Sequence, residues 1–588
     1  MFPMFGRIAA GVRLDSIPAR IARAMAYAVM AGFAVGVMYF FHGRFWWPPD
    51  DGAYAHVAAR ILNGDVLNRD VQDIHAGYIN FANALWLWLF GPDLVSLRYP
   101  LAVMAVVQSC ILFRMLLPMG LSPAFAGSIA MTSLSVVQFL NPTAHWYALF
   151  IFVLIVWALA SLDKEARGRL EAIGFLVATL LLFRQLSGVL VAMGAVAYLL
   201  SEAPGRRPGP RGPGGPWLSR SLALFMAAGL LGYLTAQTGV LALILFGIGP
   251  LGALVWTASI ASLTTGETVR LIARLALGAA VALAPLIAYH AAHGSLLNWL
   301  DDTVWSALHL TALEFMTTPS YAILAWLGAA QIFSPQSLAT LLNGLFWVVL
   351  PLLPMALGVT LVLGLFRSSG RNTVTHHPLP FLAAFYAIVS AHYQIPIYLF
   401  YSTAVAIAGL LVLFGARATW RGHSMAGLAV LLSGIGLWYQ AGQPVSRGML
   451  GIVAGDRVSL VQAEAVPHAS IWMTADDART YRDVIALIER EVPKDAPILA
   501  LPFDPELYFL SDRRNPTRFF NSGFGIRDER ELDSTIQVLR QDPPVLVFHR
   551  SDDKYNTRLS DRLMGFVQSH YETLPQIGGL AIYRYRPR

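Results

Sequence analysis

Two adjacent aspartates, Asp50 and Asp51, stand in the stretch FWWPPDDGAYAHVAARIL (residues 45–62), directly after the first long apolar segment of the chain. A carboxylate at the edge of an apolar medium is costly to keep ionised, and ionisable groups at membrane depth are functional candidates by default. The preceding Trp46, Trp47, Pro48 and Pro49 make a stiff, aromatic interfacial bend. A carboxylate held there is partly desolvated, so its pKa rises and it becomes a better general base near neutral pH. Asp50 is the candidate for that role. Asp51 opens the helical pattern GAYAHVAARIL, where a carboxylate serves a helix terminus as readily as it serves chemistry.

Other polar groups fall on the same side of the apolar segments. Asp73 and His75 lie in RDVQDIHAGY, His145 in NPTAHWYALF, Arg184 and Gln185 in FRQLSG, Asp301 and Asp302 in NWLDDTVW, and His392 in VSAHYQIPIY. Taken singly, His145 and His392 read first as structural. The chain has no glycine-rich nucleotide loop and no close His/Cys spacing of the zinc type. The expected cofactor is none; a divalent cation on Asp50, Asp73 and a histidine is the one metal arrangement on offer, and spacing does not decide it.

These residues are carried by a very apolar frame. The 588 residues are 56% hydrophobic and 13% charged, about half the charge of a soluble protein. Repeated apolar runs of helical length predict an integral membrane protein. The runs are continuous and Leu/Ala-rich rather than alternating, which argues against an up-and-down barrel. Thirteen spans are expected: 22–41, 97–116, 122–138, 146–162, 170–184, 186–201, 221–236, 241–262, 272–290, 340–366, 380–393, 397–415 and 424–440. The pair 170–184 and 186–201 is too long for one crossing and predicts a short hairpin with FRQLSG at its outer turn.

Basic residues flank the spans unevenly, so the net charge of +7 reads as an orientation signal rather than a nucleic-acid footprint. Arg7, Arg13, Arg20 and Arg23 precede the first span; Lys164, Arg167, Arg169, Arg206, Arg207, Arg211, Arg220, Arg270, Arg274, Arg367, Arg371, Arg417 and Arg421 mark later cytoplasmic segments. This predicts a cytoplasmic N-terminus and an outer first loop, 42–94, with two amphipathic surface helices, GAYAHVAARILNG and GYINFANALWLWLFG. The linker 203–217, rich in Pro, Gly and Arg, is a cytoplasmic loop, and PSYAILAWLGAAQIF in the outer region 291–338 predicts another surface helix. Residues 1–441 form the transmembrane module. Residues 442–588 turn polar and carry short strands (APILALPF, PVLVFHR, GLAIYRY) between helical patterns: a small outer α/β domain. Cys110 lies inside an apolar run, as a small core side chain.

The first outer loop resembles that of the GT-C glycosyltransferases, polyprenyl-phosphate-sugar enzymes that include the family 39 protein O-mannosyltransferases and the lipid A aminoarabinose transferases. The resemblance rests on the acidic pair Asp50-Asp51 followed by Tyr54, then Ala58, Ile61, Leu62 and Gly64, the second motif Asp73-Ile74-His75-Ala76-Gly77, and a surface helix ending in Phe90-Gly91. HWYALF, LLFRQLSG, AHGSLLNWLDDTV and PELYFLSDRRNPTRF extend it more loosely. The second acid is Asp where relatives often carry Glu, His75 stands where they usually carry Lys, and IHAG replaces HKPP.

The resemblance implies a bacterial inner-membrane enzyme with a periplasmic C-terminal domain. It would move a sugar, with inversion, from a polyprenyl-phosphate donor among the membrane lipids to a hydroxyl on a glycan, lipid or protein. It makes Asp50 the catalytic carboxylate; Asp73, the second catalytic candidate, would orient the acceptor or help bind a cation. Substrate-binding candidates are Asp51, Tyr54, His75, Arg184, Gln185 and His392; Arg184 with His75 or His392 would face the leaving phosphate. A transporter would place ionisable residues at mid-membrane and show an internal repeat, and neither is evident. A polymerase or ligase of lipid-linked sugars would rely on outer-loop arginines, which are scarce before the C-terminal domain.

Overall fold

The computed structural model of the chain describes residues 17–202, 215–306, 308, 321–367, 376–415, 420–442 and 459–587. Most of the linker 203–217 lies outside the described residues, as do Arg7, Arg13, Arg206, Arg207, Arg211, Arg371 and Arg417 and the junction that follows residue 442.

The membrane part contains α1 (Ile17–Phe41), α2 (Pro48–Leu62), α3 (Tyr78–Phe90), α4 (Tyr99–Leu116), α5 (Leu121–Ser133), α6 (Ala144–Ser161), α7 (Arg169–Phe183), α8 (Gln185–Glu202), α9 (Trp217–Gln237), α10 (Ile248–Ile260), α11 (Thr265–Ala292), α12 (Tyr321–Phe333), α13 (Leu338–Arg367), α14 (Pro378–Tyr386), α15 (Pro396–Gly415) and α16 (Trp420–Gly442). Among the described residues, ten helical stretches are long and apolar enough to cross a membrane, one of them Val240–Ile260, which runs without a break into α10. The other three expected spans are shorter: α5 has 13 residues, α7 has 15, and 380–393 splits into α14 and a single turn, Val389–His392. Two of the shortenings have a local cause. Ser135, with φ −133° and ψ −115°, ends the path of α5, and Arg184 takes an extended conformation, φ −149° and ψ 106°, between α7 and α8. The hairpin is therefore real, but its second arm, at 18 residues, is long enough to cross.

Of the two expected surface helices, α2 starts earlier than expected. Trp47 is extended and Pro48 and Pro49 are its first helical residues, where a missing N–H costs nothing and a fixed φ helps. The aspartates thus lie within the first helical turn rather than before it, where their charge suits the helix dipole. Helix α3 buries Asn80 and Asn83 and exposes Leu85, Trp88, Leu89 and Phe90. Polar groups inward and apolar groups outward suit a helix lying at a lipid surface.

The C-terminal region has a two-stranded pair, β1 (Leu460–Gln462) and β2 (Trp472–Thr474), then α17 (Ala475–Glu491), β3 (Ile498–Leu501), α18 (Glu506–Ser511), α19 (Glu529–Gln541), β4 (Leu546–His549), α20 (Arg558–His570), β5 (Tyr571–Ile577) and β6 (Leu580–Tyr585). The main sheet has the order β3-β4-β6-β5, with β3 parallel to β4 and the remaining pairs antiparallel. The strand alternation sorts its faces. Leu499, Leu501, Val547 and Tyr583 pack with α19 and α20. Ile498, Ala500, Leu546, Phe548 and Ile582 pack with α17 and share one apolar cluster with Ala55, Ala58, Ala84 and Leu87 of the first outer loop.

That shared cluster makes the α/β region a docked cap. Polar contacts fix the same seam: Arg60 donates to the Thr517 carbonyl at 2.8 Å, and the Gln72 N–H donates to the Arg518 carbonyl at 2.8 Å. Arg518 also ion-pairs with buried Asp302, which accepts from Asn68 at 2.9 Å. Arg527 pairs with Asp301 at 2.8 Å. The closest approach is at Gly52, where a Cβ would stand 2.3 Å from the Glu506 nitrogen. Only glycine fits there.

Candidate active site

Asp50 occupies the third residue of α2, half-buried, with Asn141 donating to its Oδ2 at 3.3 Å. Loss of water raises its carboxyl pKa first, the neighbouring Asp51 raises it further, and Lys554 and His75 pull against both; the net result is a carboxyl pushed up to about 7. Asp51 has a different setting. Its carboxylate is 1% exposed and faces the fully buried guanidinium of Arg98 at 3.3 Å. It also accepts the Trp47 N–H at 2.9 Å, tying down the start of the helix. Arg98 further donates to the carbonyls of His42 and Arg44 at 3.2 and 3.3 Å. One member of the pair is thus neutralised and locked, and the other is left facing a partly wet space.

Around Asp50 stand residues from five segments. Tyr54, one turn along α2, donates to Thr143 at 3.2 Å and lies 5.9 Å, centroid to centroid, from the His75 ring. Burial, and then Asp50, push the Tyr54 hydroxyl pKa upward, so it stays a neutral hydrogen-bonding group. His75 is held by Asp73, which accepts from both its backbone N–H at 2.8 Å and its Nδ1 at 2.7 Å. A carboxylate partner assigns the proton to Nδ1. Gln185 braces the same loop by donating to the Ile74 carbonyl at 2.7 Å.

Arg184 sits at the corner between α7 and α8, hydrogen-bonded to Tyr398 of α15. Its charge is felt by Tyr54, Tyr398 and Tyr401, the tyrosines that also sense Asp50. His145 stacks flat on Tyr401, with centroids 3.7 Å apart, and meets Tyr398 edge-on. His392 bonds through Nδ1 to the Tyr233 hydroxyl at 2.8 Å and also senses the Arg184 charge. The arrangement is a cluster of aromatic rings and hydroxyls that senses both a carboxylate of raised pKa and a guanidinium.

Asp50, Tyr54, His75 and Arg184 are therefore gathered, with Asp73 and Gln185 bracing the His75 loop. Asp51 is turned into its pair with Arg98, and His392 stands against Tyr233 and Tyr393. Among the described residues no group of three or more His, Cys, Asp or Glu side chains is spaced to hold a metal. Sequence reasoning missed Arg98, Asn141, Tyr398 and Tyr401. Of these only Arg98 carried a signal: an arginine near the end of a span, which demands a buried partner.

No protein-family model matches the chain, and no curated protein matches it. Among solved structures it aligns with ArnT from Cupriavidus metallidurans bound to undecaprenyl phosphate, over 95% of this chain and 97% of that one, at 12% identity and a TM-score of 0.39. At that identity and score no residue role transfers from it.

Proposed function

We propose that this multi-pass membrane protein is a glycosyltransferase that moves a sugar from a polyprenyl-phosphate donor to an acceptor hydroxyl at the outer face of a bacterial inner membrane. The observation that supports this reading is that Asp50, its carboxyl pushed up to about 7, and the Arg184 guanidinium act on the same three tyrosines, Tyr54, Tyr398 and Tyr401. A base poised near the working pH and a fixed cation in one cluster suit a displacement in which an alkoxide forms and a phosphate leaves. The resemblance of the first outer loop to the GT-C enzymes supplies the substrate class.

In this mechanism the acceptor hydroxyl donates its proton to an Asp50 carboxylate oxygen as its own oxygen bonds to the anomeric carbon. The bond from that carbon to the phosphate oxygen breaks on the opposite face, so configuration inverts and polyprenyl phosphate leaves. Arg184 takes up the charge gathering on the phosphate. His75, its Nδ1–H engaged by Asp73, offers Nε2 to the sugar or the phosphate. Asp51 keeps α2 in place through Arg98 and Trp47. The exposed apolar side of α3 provides a lipid-facing surface for the prenyl chain.

The test uses purified full-length chain with a mixed pool of polyprenyl-phosphate sugars and membrane extract as acceptor. Accumulation of free polyprenyl phosphate, lost in Arg184→Gln, is the expected result. Intact donor under every condition, with the protein folded, would remove the reading.

A further inference from the structure

The pair Asp301-Asp302 in NWLDDTVW stands out in the sequence and has no part in the chemistry drawn above. Both residues lie in 296–306, a short helical stretch that follows α11. Asp302 is fully buried. A buried carboxylate is costly unless its oxygens are met by donors, and here both are. Gln72 donates through Nε2 to Oδ1 at 3.2 Å, and Asn68 donates through Nδ2 to Oδ2 at 2.9 Å. The charge is met by Arg518 of the α/β domain, which ion-pairs with Oδ2 and also donates to the Asn68 carbonyl at 2.8 Å.

These partners lead to His75. Residues 73–77 form neither helix nor strand, so the carbonyls of this loop need donors from elsewhere. Three of them are met by side chains. Asn68 donates to the Asp73 carbonyl at 2.8 Å, Gln185 to that of Ile74 at 2.7 Å, and Trp299 through Nε1 to that of Ala76 at 2.9 Å. All three donors belong to 296–306 or rest on it. Trp299 is a member, the Asn68 amide gives its other N–H to Asp302, and Gln185 also reaches the Thr303 carbonyl at 3.4 Å. The loop that carries His75 is therefore held against one segment. The α/β domain grips that segment a second time, because Arg527 pairs with Asp301 at 2.8 Å and donates to the Ser306 hydroxyl at 3.0 Å.

We propose that Asp302 is a positioning residue for His75, with Arg518 of the α/β domain as its counter-charge. The inference rests on the glycosyltransferase reading for what His75 does, because Asp302 and Arg518 act through the loop and touch no reacting atom. Asp302 fixes the Asn68 amide, Asn68 fixes the Asp73 carbonyl, and the Asp73 carboxylate fixes the imidazole at 2.7 Å. The aim of the His75 ring is thus set by a line of hydrogen bonds that begins in the α/β domain, and docking of that domain is part of building the site.

The test reads His75 directly. Diethyl pyrocarbonate acylates an unprotonated imidazole nitrogen, which in His75 is Nε2, because Asp73 holds the proton on Nδ1. Mass spectrometry of the full-length protein in lipid nanodiscs gives the rate at each histidine at one neutral pH. Asp302→Ala and Arg518→Met are each expected to raise the His75 rate roughly tenfold, the factor for loss of one charge-assisted hydrogen bond that holds the loop. Arg518→Lys, which keeps the charge, should lie closer to wild type than Arg518→Met. The double variant Asp302→Ala/Arg518→Met should be no faster than Asp302→Ala, because the two residues are ends of one contact. His56, stacked on Tyr508 in the docking seam, and His145 on α6 should keep their wild-type rates. A His75 rate unchanged in both single variants would overturn the proposal. So would effects that multiply in the double variant, or His56 and His145 rising by the same factor, the mark of general loosening. Labelling needs no sugar transfer, so a failure of the transferase reading shows up separately, as intact donor with the wild-type protein while the His75 rate still follows Asp302 and Arg518.

Discussion

Replacing Asp50 by Asn should stabilise the protein at alkaline pH and leave its stability unchanged in acid. The sign follows from linkage. A carboxyl whose pKa rises from an ordinary 3.8 to about 7 on folding holds its proton longer in the folded state. Folded-state stability then falls as pH rises between those two values, because the unfolded chain binds fewer protons there. The gap between 3.8 and about 7, at 1.36 kcal/mol per pH unit, gives about 4 kcal/mol as an upper bound. Asp50 is half-buried rather than sealed, and water lowers the figure to roughly 2–4 kcal/mol. Asn removes the charge, keeps the shape and can still accept from Asn141 through its Oδ1. The assay is thermal unfolding of the full chain in nanodiscs, followed by tryptophan fluorescence, for wild type and Asp50→Asn between about pH 4 and 8.5. The variant should melt higher above pH 7, and the two curves should converge near pH 4. An Asp50→Asn protein equal to or weaker than wild type at pH 8 would refute the claim that this carboxyl is held at a cost in stability for its chemistry.

Two further outcomes follow from other parts of the site. Arg98→Met leaves Asp51 buried and unpaired and should cost about 3–5 kcal/mol, whereas the double variant Arg98→Met/Asp51→Asn should recover much of the loss; both are read from the same melting curves. Gly52→Val drives a side chain into the Glu506 backbone, so the α/β domain should loosen from α2. Hydrogen exchange at residues 502–511 and 550–556 should then rise above wild type, and unchanged protection there would count against the docking seam.

Much of the frame was legible because apolar length and flanking charge are one-dimensional signals. The ten long helices coincide with ten of the expected spans, and β3, β4 and β6 with the three expected strand segments. The misses have physical causes. Pro48 and Pro49 read as a bend because proline breaks helices in their interiors, yet at the first two helical positions it starts one. Span 122–138 was counted whole because Ser135 is an ordinary residue by type, and its backbone break appears only in three dimensions. Strand β5, YETLPQI, contains a proline and charge and shows no apolar run.

The site divides along the same line. Asp50, Tyr54, His75 and Arg184 could be named because each is a polar residue against an apolar background. Asp51 looked equivalent to Asp50, and only the buried Arg98 guanidinium, 47 positions away, separates them. Tyr398 and Tyr401 sit in an apolar run where aromatic residues pass as packing. Arg518 lies 216 positions from Asp302 in a polar domain where one more arginine carries no signal; only the docking of that domain brings the two together.

The central claim is that Asp50 is the base of a sugar transfer from polyprenyl phosphate. Single-turnover transfer by purified wild-type and Asp50→Asn protein, with one polyprenyl-phosphate sugar and its acceptor, measures this most directly. The account predicts a wild-type rate that rises with pH through about 7, as Asp50 ionises. It predicts a rate at least about 100-fold lower and flat with pH in Asp50→Asn, whose melting curve shows it folded. Transfer by Asp50→Asn at the wild-type rate, with the same pH dependence, would contradict it.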